Sequence, residues 1–272
     1  VHAVFALLLA AVTTYSGVFA LPAPERRAAA TLEVTRTGPL AARLEIVERA
    51  GVQTLRDYDL DMTKRMHVIV IDRQFETFQH LHPALDAAGH FVFALHVPKP
   101  ATYYVYADAV PHGLGQQVFR FDVPFGAPRA GNAVLAPSKA TVSAGPYAVT
   151  LDTLKLRAGT ETMLHASITE NGRPARDLAP YLGAAAHAVF IQTQTLAYVH
   201  VHPTTGNEAE AMHGMAGMES MADMHESVPA KGPLPSTMTL HVEAPSTGTY
   251  KLWLQFRGAD GLHVAPFVLV AT

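Results

Sequence analysis

HVIVIDRQFETFQHLHP, residues 67–83, returns 120 residues later as HAVFIQTQTLAYVHVHP, residues 187–203. His67, His80, His82 and Pro83 recur as His187, His200, His202 and Pro203, with thirteen residues from the first histidine to the second and then His-x-His-Pro. The match runs without a gap from about Leu44/Leu164 through Arg56-Asp57/Arg176-Asp177 to the prolines. Fifteen histidines placed at random would rarely fall into such register. The chain therefore reads as a tandem duplication, each copy carrying a three-histidine cluster.

Inside the repeat, Val68-Ile69-Val70-Ile71 and its counterpart Ala188-Val189-Phe190-Ile191 are short apolar runs of the kind that form buried strands. Residues i and i+2 of a strand share a face, with Cα atoms about 6.6 Å apart, which puts His80 and His82 together. His67 lies on the preceding strand. A two-residue loop at Arg73-Gln74 sets His67 opposite His80, and a four-residue loop at Arg73–Glu76 sets it opposite His82. Either even loop gathers all three rings on one face, because directly opposed residues share a face. A three-residue loop would send His67 to the other face. The same construction applies to His187, His200 and His202.

Outward from this hairpin the chain reads as β-structure. Strand candidates in the first copy are Thr31–Thr35, Ala42–Val47, Thr77–His82, His90–His96, Thr102–Asp108 and Gln116–Val123. The second copy offers Tyr147–Thr153, Thr162–Ile168, Ala197–His202, Thr237–Val242, Thr249–Phe256 and Leu262–Val270. About seven short strands per copy, punctuated by glycine and proline, predict an all-β chain of two tandem Ig-like antiparallel β-sandwich domains. The expected bounds are 31–127 and 138–272, joined near Ala130–Ser138. Thr102-Tyr103 aligns with Thr249-Tyr250 at an offset of 147, so the second copy holds an insert of 27 residues at about 204–231. At that offset Gln116 aligns with His263, a candidate pair of outer ligands.

The insert contains Met212, Met215, Met218, Met221 and Met224 at a strict interval of three, with His213 and His225 alongside. On an α-helix such spacing drifts by about 60° per step and builds no single buried face. Among Gly, Ser, Glu and Asp it reads as an exposed loop, where a thioether prefers a soft ion such as Cu(I). The bland alternative is a low-complexity insertion without a ligand. The imidazole clusters suit Zn²⁺ or Cu²⁺. Their own bland alternative is a satisfied core histidine beside an exposed strand end.

Composition bounds the function classes. The chain of 272 residues has 49% hydrophobic residues, enough for two cores, and a net charge of -3 without a basic patch, so no nucleic-acid partner is expected. It has no cysteine, which excludes disulfides, thiolate metal sites, a cysteine nucleophile and a blue-copper centre. Ala3–Val12 is purely apolar, and Val18-Phe19-Ala20 ends on a small residue before Leu21-Pro22-Ala23-Pro24. Residues 1–20 thus read as a cleaved signal peptide, with an uncleaved membrane tether as the alternative. Both place the protein outside the cytoplasm, periplasmic or secreted.

The stretches Phe78-Gln79-His80-Leu81-His82-Pro83, Asp177–Ala184 leading to His187, Tyr198-Val199-His200-Val201-His202-Pro203, Gly248–Trp253 and Gly261–Phe267 resemble secreted bacterial tandem Ig-like proteins related to the YtkA-like domain group. That resemblance spans nearly all of the mature chain and implies an extracytoplasmic β-sandwich associated with heavy-metal, especially copper, handling. The first copy departs from the pattern, with Leu60-Asp61-Met62-Thr63 where the second has Pro180-Tyr181-Leu182-Gly183. The expectation is a copper carrier, buffer or sequestering protein, with zinc as the alternative metal and a membrane copper transporter or oxidase as a delivery partner. A metal-free Ig-like interaction module and a three-histidine metalloenzyme are the competing readings. No Ser/His/Asp signature or suitably spaced carboxylate base supports the enzyme.

Overall fold

A computed structural model describes residues 11–21, 26–126, 133–206 and 232–272. The named elements are all strands. They form two units, Val1–Gly131 and Asn132–Thr272, each built round its own apolar core.

The first unit has two six-stranded sheets. One runs in the order Val12–Ser16, Ala29–Gly38, Ala41–Ala50, His90–His96, Ala84–Leu85, with Gln53–Thr54 beside Ala41–Ala50. The other runs Val18–Phe19, Gln117–Phe125, Ala101–Pro111, Met66–Asp72, Phe78–Leu81, with Tyr58–Asp59 beside Ala101–Pro111. Leu32, Val34, Leu44, Ile46 and Phe91 of the first sheet pack against Val68, Val70, Tyr103, Val105, Phe119 and Phe121 of the second. Each such side chain contributes about 1.5–3 kcal/mol of burial free energy, which is what holds the two layers face to face.

The second unit repeats the plan with two five-stranded sheets. Thr141–Ala144, Tyr147–Leu151, Thr162–Glu170 and Arg173–Pro174 form one, with Thr237–Val242 beside Thr162–Glu170. Lys155–Leu156, Gly261–Ala271, Gly248–Gly258, His187–Gln192 and Tyr198–Val201 form the other. The histidine-bearing sheets of the two units thus share one strand order. Lys155–Leu156 runs parallel to Val270–Ala271, and every other strand pairing described is antiparallel. The two tandem sandwiches expected from the repeat are present.

A second repeated device marks them as Ig-type. Tyr103 and Tyr250, 147 residues apart, are fully buried, and their hydroxyls donate to the carbonyl oxygens of Lys99 at 2.9 Å and Ser246 at 2.8 Å. Each ties the start of a long strand back to the chain four residues upstream, as a tyrosine corner does.

Residues 11–20 fall inside the expected export segment. Val12–Ser16 pairs with Thr31–Thr35, and Val18 and Phe19 pair with Arg120 and Phe119. Residues 1–10 lie outside the described residues.

The hairpin that carries the histidines is set by the residue before its loop. In the first unit Ile71 pairs with Phe78, Val70 with Gln79, Ile69 with His80 and Val68 with Leu81. That register leaves a four-residue loop at Arg73–Glu76. The buried Asp72 carboxylate holds it, accepting from the N–H groups of Gln74 at 3.1 Å and Glu76 at 2.9 Å and pairing with Lys99 at 2.7 Å. In the second unit Gln192 takes the same place, its side-chain oxygen accepting from the N–H groups of Gln194 at 2.5 Å and Thr195 at 2.6 Å. A short polar side chain that caps loop N–H groups substitutes for missing ladder bonds. Gly248 makes room for this cap, since a Cβ there would lie 2.5 Å from the Gln192 side-chain nitrogen at a φ of +126°.

A carboxyl group sits in the first core. Glu48 continues the inward phase of Ala42, Leu44 and Ile46 and is fully buried. Burial pushes its carboxyl from an ordinary 4.5 up to about 8. The Tyr58 hydroxyl offsets part of that shift without a hydrogen bond of good geometry, and the Asp108 carboxylate adds to it.

Two predictions follow from these groups. Asp72→Ala should lower the unfolding free energy by about 1–3 kcal/mol in urea melts, because two loop N–H groups lose their acceptor. An unchanged melt would show that the loop does not depend on the cap. Between pH 4.5 and about 8 Glu48 keeps its proton in the fold and loses it on unfolding. Stability should therefore decline as pH rises through that window. Glu48→Gln should flatten the decline and be the more stable protein at pH 8; parallel pH profiles would contradict the buried neutral carboxyl.

Candidate metal centres

Val68 and Val70 point into the first core, so His67, Ile69 and Ile71 face the other way. Leu81 packs against the core, which turns His80 and His82 to that same outer face. The register that pairs Val68 with Leu81 brings His82 opposite His67. His67 is fully buried, while His80 and His82 are half-buried. Ring centroids are 5.1 Å apart for His67 and His80, 4.9 Å for His67 and His82, and 4.5 Å for His80 and His82.

Three nitrogens meet. His67 Nδ1 is 2.9 Å from His80 Nε2 and 3.3 Å from His82 Nε2, and the last two are 3.1 Å apart. The Nε2–H of His67 donates to the carbonyl oxygen of Asp61 at 3.3 Å. A carbonyl only accepts, so that bond places the proton on Nε2 and leaves the Nδ1 lone pair aimed at the other two rings. One or two shared protons cannot satisfy three mutual N···N contacts with good geometry, whereas one cation can. At metal–nitrogen distances of about 2.0–2.1 Å, ligand nitrogens stand about 2.9 Å apart for right angles and about 3.3 Å for tetrahedral angles. The observed separations span that interval.

The second unit repeats the construction. Ala188 and Phe190 enter its core, as do Val199 and Val201 at its margin, leaving His187, His200 and His202 on the outer face. His187 Nε2–H donates to the carbonyl oxygen of Tyr181 at 3.1 Å, and Nδ1 lies 3.3 Å from His200 Nε2. Ring centroids are 5.5 Å apart for His187 and His200, and 4.7 Å both for His187 and His202 and for His200 and His202. Ring nitrogens of His67 with His80, of His187 with His200 and of His200 with His202 all approach within 4.8 Å. Each histidine cluster can hold a metal ion. A metal-bound histidine whose other ring nitrogen is fixed by a carbonyl is the usual second-layer arrangement.

The carbonyls come from one repeated turn. Asp61 and Lys64 exchange both backbone bonds, at 2.9 and 3.1 Å, and Tyr181 and Ala184 do the same at 2.9 and 3.1 Å. Met62 and Leu182 take the left-handed conformation there, with φ of 55° and 52°. The Leu60–Thr63 and Pro180–Gly183 stretches thus differ in sequence but share this paired turn and its left-handed residue, while Gly183 takes a φ of 88° that Thr63 does not.

The first cluster is electrically suited to metal. Burial, then the neighbouring His80 and His67, then Lys64 push His82 down to about 3. Burial also lowers His67, against the opposing pull of Asp61. Both rings are neutral at pH 7, the form that coordinates.

The remaining candidates fall elsewhere. The side-chain nitrogen of Gln116 donates to Asp108 at 2.8 Å, and Asp108 is the cross-strand partner of His67. His263 bonds Asp260 at 2.7 Å and packs on Tyr147 and Phe256. Met212, His213, Met215, Met218, Met221, Met224 and His225 lie outside the described residues. Asp108 was not singled out in the sequence; the 147 offset that aligns it with Gln255 was the available signal.

If the carbonyls fix the ring protons, nitrogen-15 spectra of the metal-free protein should show His67 and His187 as Nε2–H tautomers. Nδ1–H signals for both would contradict the geometry.

A search of curated proteins finds no match to the chain. The sequence profile of a family described as a domain of unknown function, DUF8832, matches residues 25–125 and residues 140–272. The two matched regions fall one in each sandwich and together cover most of the sequence, and the chain belongs to the DUF8832 family.

Proposed function

We propose that the protein is an extracytoplasmic metal-binding protein, a copper carrier, buffer or sequestering protein that coordinates its ion without catalysis. One observation carries the metal reading: the convergence of His67 Nδ1, His80 Nε2 and His82 Nε2 within 3.3 Å, with the His67 proton committed to a carbonyl. Its repetition around His187 supports it. Three neutral imidazoles alone suit Zn²⁺ and Cu²⁺ alike. Copper is favoured by the methionine run Met212–Met224 with His213 and His225, whose thioethers suit Cu(I), and by the resemblance to the YtkA-like group. In this reading the sandwiches hold Cu(II) on a rigid face, and the methionine segment takes up or hands over Cu(I), a membrane transporter or oxidase receiving it. The apolar N-terminal stretch supports export.

The test is titration of the chain with Cu(I), Cu(II) and Zn(II) against chelators of known affinity. The comparison proteins lack residues 206–228 or carry His80→Ala/His82→Ala or His200→Ala/His202→Ala. The expected outcome is one divalent ion lost with each histidine pair and Cu(I) capacity lost with the methionine segment. Binding no tighter than that of any histidine-bearing protein would overturn the metal reading and leave a duplicated interaction module.

A further inference from the structure

The second unit carries another set of ligand side chains, on the sheet that does not hold its histidine triad. Leu164 of Thr162–Glu170 pairs with Leu240 of Thr237–Val242, and both enter the core. Alternation therefore turns Met163, His165, Thr239 and His241 to the outer face, with Met163 opposite His241 and His165 opposite Thr239. Directly opposed side chains start about 4.5–5.5 Å apart at Cβ and diagonal ones about 7–8 Å, so Met163, His165 and His241 rise from one small patch. Met163 is 57% exposed, which puts its thioether within reach of solution.

Both rings are held by Nδ1. His241 Nδ1 lies 3.0 Å from a carboxylate oxygen of Glu161. A carboxylate only accepts, so in the neutral ring the proton sits on Nδ1 and the lone pair on Nε2. His165 Nδ1 lies 3.1 Å from the Thr239 hydroxyl. Among the described residues no hydrogen bond engages either Nε2. An imidazole oriented by a carboxylate through one nitrogen and open at the other is the arrangement of a metal-bound histidine.

The same fold does not require these side chains. At the matching places the first unit has Arg43 and Glu45, which pair with each other, and Ala94, which stands opposite Arg43 as His241 stands opposite Met163. Nor does packing require Met163: an exposed methionine gains little from burial and is open to oxidation. A thioether beside two imidazoles is a soft donor set, suited to a soft monovalent ion, and the adaptable methionine side chain can follow the ion.

We infer that Met163, His165 and His241 form a separate site for a soft monovalent ion of the Cu(I) class, with Glu161 as the positioning residue for His241. The site shares no ligand with either triad and stands without them. It gives the second sandwich a soft-ion site of its own, open to solvent and so suited to exchange.

The experiment uses the full chain, labelled with carbon-13 in the methionine methyl groups and nitrogen-15 in the histidines, and titrates it with Ag(I), a redox-inert soft probe. Met163→Leu, His165→Gln and His241→Gln assign the three signals, and circular dichroism confirms that each variant is folded. The Met163 methyl and the Nε2 signals of His165 and His241 should shift together. In Met163→Leu the two histidines should lose their response, and Glu161→Gln should weaken binding at this patch by about tenfold or more. A Met163 methyl that stays in place after the other methionine signals have saturated would overturn the inference, as would histidine shifts that persist unchanged in Met163→Leu. Either result leaves the triads untouched, because Zn(II)-induced shifts of His67 and His187 in the same labelled protein test them separately.

Discussion

The register of one hairpin decides whether three imidazoles can meet. A side chain on a strand changes face with every single-residue slip, so a loop one residue shorter or longer would carry His67 or His187 to the core side. Asp72 and Gln192 prevent that slip by taking up the N–H groups of a four-residue loop, and Gly248 leaves room for the second of these caps. Given the register, the rest of each site follows. Alternation puts Val68, Val70 and Leu81 into the first core and sends His67, His80 and His82 outward. The tight turn upstream then supplies a carbonyl that fixes the proton of the first histidine.

Much of this was legible in the chain. Thirteen-residue spacing and His-x-His-Pro carried the duplication, and alternation carried the long strands, His90–His96 and Thr237–Val242 among them with the expected bounds. The shared face of the histidines was conditional on an even loop, with lengths of two and four both open. The choice of four rests on side-chain hydrogen bonds from Asp72 and Gln192, which no spacing rule reveals. Two-residue strands such as Tyr58–Asp59 and Lys155–Leu156 escaped because they are too short to show a period. The alignment of Gln116 with His263 was sound as an offset, yet the two side chains have different partners, Asp108 in one unit and Asp260 in the other. Alignment fixes where a backbone goes; the neighbour on the next strand fixes what the side chain does.

Each unit spends buried polar groups around its cluster, and the two spend them differently. Asp108 and His67 are side by side in the first, Gln255 and His187 in the second, all of them buried within sheets that are apolar on the opposite side. Buried polar side chains are costly unless they are satisfied, so their persistence on the outer faces points to a role beyond packing. A fold supports many functions. Here the functional statement belongs to the ring nitrogens and their immediate partners, and the sandwiches serve as their rigid frame, which in the first unit keeps the three nitrogens within 3.3 Å of one another.

X-ray absorption fine structure of the copper- or zinc-loaded chain tests this most directly. Three imidazole nitrogens per ion at about 2.0–2.1 Å, with the outer-shell scattering of histidine rings, is the predicted result. An ion surrounded by oxygen ligands, or by a single imidazole, would contradict the three-histidine centre.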